Sequence, residues 1–131
     1  MSHPYSEKIL DHFRHPRNQG ALAHPTVSQE GSNPLCGDRV RVDLVLEGEV
    51  ITRAAFTANA CAICVASASV LTDLVRNAPL HDVESLSSDE LLRLLDARLP
   101  EARLGCVSLP LTVLHTGVML YRQAMAQVRA P

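Results

Sequence analysis

The sequence predicts an α+β fold: a small antiparallel β-sheet of about three strands packed against helices in a single compact domain. Three observations predict it. Hydrophobicity alternates between Val40 and Ala58, helical periodicity flanks that stretch, and the elements run helix, strands, then helices. A length of 131 residues suits one core, so residues 1–131 are read as one domain.

Tyr5, Ile9 and Phe13 recur every four residues with Leu10 beside them. The chain from Tyr5 to Arg14 is therefore read as a helix, which Pro16 ends. From Arg17 to Pro34 glycines and prolines break any period, giving a loop with one short edge strand around Val27. Val40, Val42, Leu44 and Leu46 then share one face, with Arg39, Arg41, Asp43 and Glu47 on the other. After a turn at Glu47-Gly48-Glu49 alternation resumes, with Val50, Ala54 and Phe56 inward, completing a hairpin. Ala62 to Arg76 is apolar or small nearly all round, with Ile63, Ala66, Val70 and Leu74 in one stripe, as in a helix buried against a sheet. Ser87 and Glu90 have capping-box spacing and open a helix to about Ala97, which Pro100 closes. A last helix runs from near Ser108 to about Val128, with Leu111, Leu114, Val118, Tyr121, Met125 and Val128 inward.

Composition narrows the function. A formal charge of −2 with no cluster of Lys and Arg argues against a nucleic-acid partner, whose affinity depends on gathered cations. No uninterrupted apolar run approaches the roughly 18 residues of a membrane helix, so no membrane partner is expected. Met1-Ser2-His3-Pro4-Tyr5 lacks the charged and apolar regions of a secretory signal. The expectation is a cytoplasmic protein, and in a reducing compartment its four cysteines read as ligands or reactive thiols rather than disulfides. The histidines have no ligand spacing; His12, His15 and His115 read as surface or packing residues.

The cysteines fall at the ends of elements. Cys36 lies in Asn33-Pro34-Leu35-Cys36-Gly37-Asp38, a turn in which Gly37 permits geometry that lets Cys36 and Asp38 point at one ion. Cys61 stands between the second hairpin strand and the buried helix, and Cys106 just before the last helix. Helix N-termini favour negative charge, so Cys61 and Cys106 are expected to ionise more readily than free thiols. Cys36, Asp38, Cys61 and Cys106 together offer three thiolates and a carboxylate, a donor set for tetrahedral zinc or for most of an iron–sulfur centre. Cys61-Ala62-Ile63-Cys64 is a CxxC, but a hairpin precedes it where a thioredoxin-like redox motif expects a βαβ unit. Cys64 is read as a buried small side chain, with an accessory thiol as the alternative. Ser67 and Ser69 are read as small residues that allow close helix packing, since no nucleophile elbow surrounds them.

Several segments carry a resemblance. Tyr5-Ser6-Glu7-Lys8-Ile9-Leu10-Asp11-His12-Phe13 followed by His15-Pro16-Arg17-Asn18 resembles the opening of the U-type iron–sulfur cluster assembly scaffold family. Asn33 to Asp38, Cys61-Ala62-Ile63 with Ala66-Ser67-Ala68-Ser69, and the late Cys106 resemble it too. The resemblance implies an α+β fold with three strands and a site of Cys36, Cys61 and Cys106 with Asp38. It implies that a cysteine desulfurase delivers sulfur, that a [2Fe–2S] cluster is assembled, and that apo-proteins receive it; in the mechanism expected here, Cys106 is the first persulfide acceptor. Some members bind zinc instead, and a subgroup relays sulfur through a zinc-bound cysteine. Gly105 stands where many scaffolds carry a histidine, and with Arg103 it is similar to that zinc subgroup. The 45-residue step from Cys61 to Cys106 is closer to the histidine-containing scaffolds. Only Leu99-Pro100 persists of the chaperone-recognition motif, which argues against a dedicated Hsp70 partner. The chain is thus expected to be a scaffold or carrier rather than an enzyme. A zinc-dependent sulfur carrier on the same four residues is the alternative, and an interaction module with a structural zinc ranks third.

Overall fold

The computed structural model describes residues 5–129; residues 1–4, read above as lacking a secretory signal, lie outside them. Its elements are α1 (Glu7–Arg14), β1 (Val27–Asn33), β2 (Asp38–Glu47), β3 (Val50–Asn59), α2 (Ala62–Val75), α3 (Leu80–Glu84), α4 (Ser88–Leu94), a 3-10 turn (Glu101–Arg103) and α5 (Leu104–Arg129). The strands form one antiparallel sheet in the order β1-β2-β3, as the sequence predicts.

The sheet buries one face by alternation. Val42 lies opposite Phe56 and Leu44 opposite Ala54, so these side chains and Val40 share the face that the helices cover. Val50 does not join them and is 36% exposed. The reason is a β-bulge: Val45 faces Arg53 but Leu46 faces Ile51, leaving Thr52 as an extra residue whose hydroxyl donates to the Val45 carbonyl. The extra residue reverses the phase, and Ile51 becomes the buried one. On the opposite face Asp43 is buried but satisfied, accepting from Leu22 N–H, Ser28 Oγ and Arg41 Nε.

The predicted edge strand is longer than expected because α5 lies across it. Gly31 and Gly117 make that approach possible: a Cβ at Gly117 would sit 2.8 Å from Val27 Cγ1, and one at Gly31 2.6 Å from Val113 Cγ2. α2 is buried almost all round, although Leu74 is 40% exposed. Its small polar residues do more than permit close packing. Ser67 Oγ donates to the Val107 carbonyl of α5 at 2.6 Å, and Ser69 Oγ accepts from Arg17 N–H at 2.9 Å. Ser69 Oγ also meets His12 Nδ1 at 2.7 Å, and His115 Nε2 meets the Val83 carbonyl at 2.9 Å, the packing roles expected of these histidines.

Other expectations are corrected. α3 has too short a period to announce itself, and α4 ends at Leu94 rather than about Ala97. Ser87 precedes α4 but makes no side-chain cap bond; Glu90 N–H goes to the Ser87 carbonyl instead. α5 begins at Leu104 rather than near Ser108, and its end overruns the core, leaving Val128 76% exposed. The segment Glu101–Arg129 is long and apolar enough to cross a membrane by length and composition, although no unbroken apolar run marks it. Half of its most apolar window is buried inside this fold, as in the core helix of a domain.

Candidate metal centre

The four predicted residues come from three places that the fold brings to one end of the sheet. Cys36 and Asp38 belong to the loop joining β1 to β2, closed by the pairing of Asn33 with Asp38. Asn33 shapes it: its carbonyl accepts from Cys36 and Gly37 N–H, and its side chain accepts from Leu35 N–H at 3.0 Å. Gly37 has φ +76° with nothing within 4 Å of an added Cβ, so it is the backbone conformation, not space, that requires glycine. Cys61 follows β3 as the N-cap of α2. Cys106 lies in the first turn of α5 rather than before the helix. Pro110, four residues on, has no N–H to offer the Cys106 carbonyl, which loosens the helix there.

Donor atoms of Cys36, Asp38 and Cys106 all lie within 4.8 Å of one another. Cys61 joins through Asp38: its backbone N–H donates to Oδ1 at 2.9 Å and its thiol to Oδ2 at 3.5 Å. Sulfur ligands around tetrahedral zinc, at bonds of about 2.3 Å, would stand about 3.8 Å apart. Closing the Cys36–Cys106 separation to that value takes a movement of about 1 Å at most, and the exposed Cys36 loop can supply it. The donors therefore fit a thiophilic metal, with Asp38 and Cys106 buried and Cys36 exposed at the rim. An open cavity of about 530 Å³ lies over them, lined also by Leu35, Arg103 and Gly105. A hollow of about 570 Å³ elsewhere is lined by Arg53 and Arg76 and by no thiol or carboxylate, which leaves metal chemistry to the smaller one.

Electrostatics correct one expectation. Cys106 does not ionise more readily: burial, then the Cys61 sulfur and its charge, push its thiol up to about 12, and the hydrogen bond from Arg103 only partly offsets them. The helix N-terminus is outweighed by desolvation, and a bound cation would reverse the balance. Burial acts to raise Asp38, but hydrogen bonds from the Cys36 thiol, the Cys61 N–H and the Cys61 and Cys106 thiols prevail and hold its carboxyl below the usual range. Burial, then the charge of Asp38, raises the Cys64 thiol further still.

Arg103 is the site residue that the sequence pointed to only by likeness. Its guanidinium contacts Cys106, Tyr5 and Cys61, and its buried Nε has no hydrogen-bond partner among the described residues. Its spacing of three from Cys106, one helical turn, is the signal that places both side chains on one face. None of the described histidines enters the cluster, and all four cysteines are free thiols.

Comparison with known proteins adds an independent line. Residues 4–128 match the family model described as NifU-like N terminal domain. The iron-sulfur cluster assembly scaffold protein IscU of Aquifex aeolicus is 32% identical over 130 residues, covering 98% of this chain and 82% of that protein. The zinc-dependent sulfurtransferase SufU of Bacillus subtilis is 35% identical over 83 residues, 63% of this chain; the match spans 56% of that protein's length. Among solved structures, a putative iron-sulfur cluster assembly scaffold protein for the SUF system from Fervidobacterium islandicum superposes with TM-score 0.76 at 21% identity, over 88% of this chain and 96% of that one. At that identity the likeness speaks for the fold.

Proposed function

The chain belongs to the NifU-like N-terminal domain family, and from that premise we propose that it is an iron–sulfur cluster assembly scaffold. It accepts sulfur from a cysteine desulfurase, builds a [2Fe–2S] cluster as cargo and passes it to apo-proteins. The observation that carries the reading is the convergence of Cys36, Asp38 and Cys106 within 4.8 Å, with Cys61 bonded to Asp38, from three separate segments at one rim.

The residues divide the work. A thiol of the site attacks the outer sulfur of the desulfurase's persulfide; the new S–S bond forms as the desulfurase cysteine leaves as thiolate. Cys106 is the first acceptor in this reading: Arg103 touches its sulfur and partly offsets the burial that disfavours its thiolate. Cys36 stands on an exposed loop and reaches toward a docked partner, while Leu35 beside it is 97% exposed. Iron in such clusters prefers thiolate, so the Asp38 oxygen is the ligand most readily given up, and a scaffold must release what it builds. Nothing in this cycle calls on a dedicated Hsp70, and the reactive thiols suit the cytoplasm.

A second reading, a zinc-dependent sulfur carrier on the same four ligands, is favoured by two features: Gly105 supplies no histidine, and Arg103 lies against Cys106. One reconstitution separates the two. Protein incubated anaerobically with a cysteine desulfurase, L-cysteine and ferrous iron should develop thiolate-to-iron absorption and then load an apo-ferredoxin. Serine at Cys36, Cys61 or Cys106 should abolish both steps. Persulfide uptake that needs zinc and never yields absorption with iron would replace the scaffold with the carrier.

A further inference from the structure

Cys64 is the cysteine that metal binding leaves unused. It is completely buried, and its thiol makes no hydrogen bond among the described residues. Its position is specific: Cys61 is the N-cap of α2 and Cys64 its third helical residue. An N-cap side chain folds back over the first turn toward the second and third helical residues. The Cys61 thiol makes no such backbone bond and reaches Asp38 Oδ2 instead. The Cys61 sulfur is thus bonded to the Asp38 carboxylate, and its charge is felt by the Cys64 thiol one helical turn on. Helix geometry sets Cα atoms three residues apart at about 5 Å, inside the range of about 4.4–6.8 Å that a disulfide bridges.

We propose that Cys64 is a resolving thiol: it attacks a persulfide carried on Cys61, so that the chain itself supplies the two electrons that turn sulfane sulfur into sulfide. The inference rests on the sulfur-accepting role proposed above. Cys61 receives the sulfur directly or from Cys106, whose thiol touches its own; in that transfer Cys61 attacks the outer sulfur and Cys106 leaves as thiolate. Cys64 then attacks the inner sulfur of the Cys61 persulfide. The Cys61–Cys64 bond forms, the terminal S–S bond breaks, and the outer sulfur leaves with the bonding pair, taking the Cys64 proton to give hydrogen sulfide. Two thiols are oxidised to one disulfide and one sulfur is reduced to sulfide, so the step balances without an outside reductant. The disulfide withdraws Cys61 from the ligand set until a dithiol reduces it, which couples each sulfide to a fresh supply of electrons.

The test uses full-length wild type, Cys64→Ala and Cys64→Ser, each checked for an unchanged cooperative melt and freed of reductant without oxygen. One arm supplies sulfur from a cysteine desulfurase and one equivalent of L-cysteine; the other supplies inorganic polysulfide, removed before analysis. Intact mass, disulfide mapping and sulfide release are measured. Wild type should lose two hydrogens, show a Cys61–Cys64 link and release sulfide approaching one per chain. Both variants should keep one extra sulfur and release at least about tenfold less sulfide, the gap expected when a placed thiol is lost. Equal release from the variants, or a disulfide that omits Cys64 in either arm, would overturn the inference. Should only the polysulfide arm give the Cys61–Cys64 link, the resolving role stands and the desulfurase partnership falls.

Discussion

Asp38 joins the fold to its chemistry: it closes the β1–β2 loop, accepts the Cys61 N–H at 2.9 Å and faces the thiols. Asp38→Ala strands those donors, and loss of such a buried partner costs about 1–3 kcal/mol, so the apo-protein should melt at lower temperature. With the weakest ligand gone, cluster transfer should be slower than in wild type, followed by the visible spectrum of an apo-ferredoxin; faster transfer would rule out the release role. The Asp38 carboxyl sits below its ordinary 3.8. Its contribution to stability is therefore complete above that value and is lost as pH falls through the lower folded value. Acid unfolding curves of wild type and Asp38→Asn should draw together as pH falls below 3.8 and meet only beneath the lower folded value. Cys106 behaves oppositely, rising from 9.0 to about 12. Its contribution is complete below pH 9.0 and is lost as pH rises toward about 12, so alkaline unfolding of apo-protein should steepen there and Cys106→Ser should remove its share. The donor set was legible because Cys36-Gly37-Asp38 pairs two ligand types around a flexible residue; the raised Cys106 thiol was not, since burial between α2 and α5 is a tertiary fact.

At the scale of elements, the junction of α5 with β1 deserves the sharpest test. Gly117→Ala gains about 1 kcal/mol of helix propensity, yet its Cβ would stand 2.8 Å from Val27 Cγ1 and 3.1 Å from Gln29 Cβ. Overpacking of this kind costs about 1–3 kcal/mol, so urea unfolding should show net destabilisation and weaker metal retention as α5 shifts Cys106. Neutral or improved stability would mean that α5 is not seated on β1 in this way. β2 and most of β3 were legible because their residues alternate, and α2 because it is apolar or small nearly all round. The true extent of β1 was hidden by Gly31, which reads as a loop residue and is in fact the place where α5 comes closest. Thr52 carries no sequence mark of a bulge, so the inward face of β3 was assigned one residue out of phase near Val50. The start of α5 was obscured by Gly105 and Pro110, two residues that usually stand outside helices, here tolerated in its first turns.

Across the whole molecule, the core and the candidate metal site are separable. Val42, Leu44, Ile51, Leu71, Leu80 and Leu114 are all buried at under 2% exposure and none is a ligand, so the fold does not depend on an ion to exclude water. Metal removal should lower the melting temperature, by the linkage expected of any ligand that binds only the folded state, while leaving a cooperative transition; unfolding on chelation would instead mark a structural zinc site. The central claim is that the rim of Cys36, Asp38, Cys61 and Cys106 carries a cluster under construction. Its most direct test is to quantify iron, zinc and labile sulfide in protein purified without oxygen, together with the visible spectrum. The scaffold account predicts iron and sulfide in equal amounts with thiolate-to-iron absorption, all lost in Cys106→Ser. One zinc per chain with neither sulfide nor absorption would contradict it and assign the site to sulfur carriage.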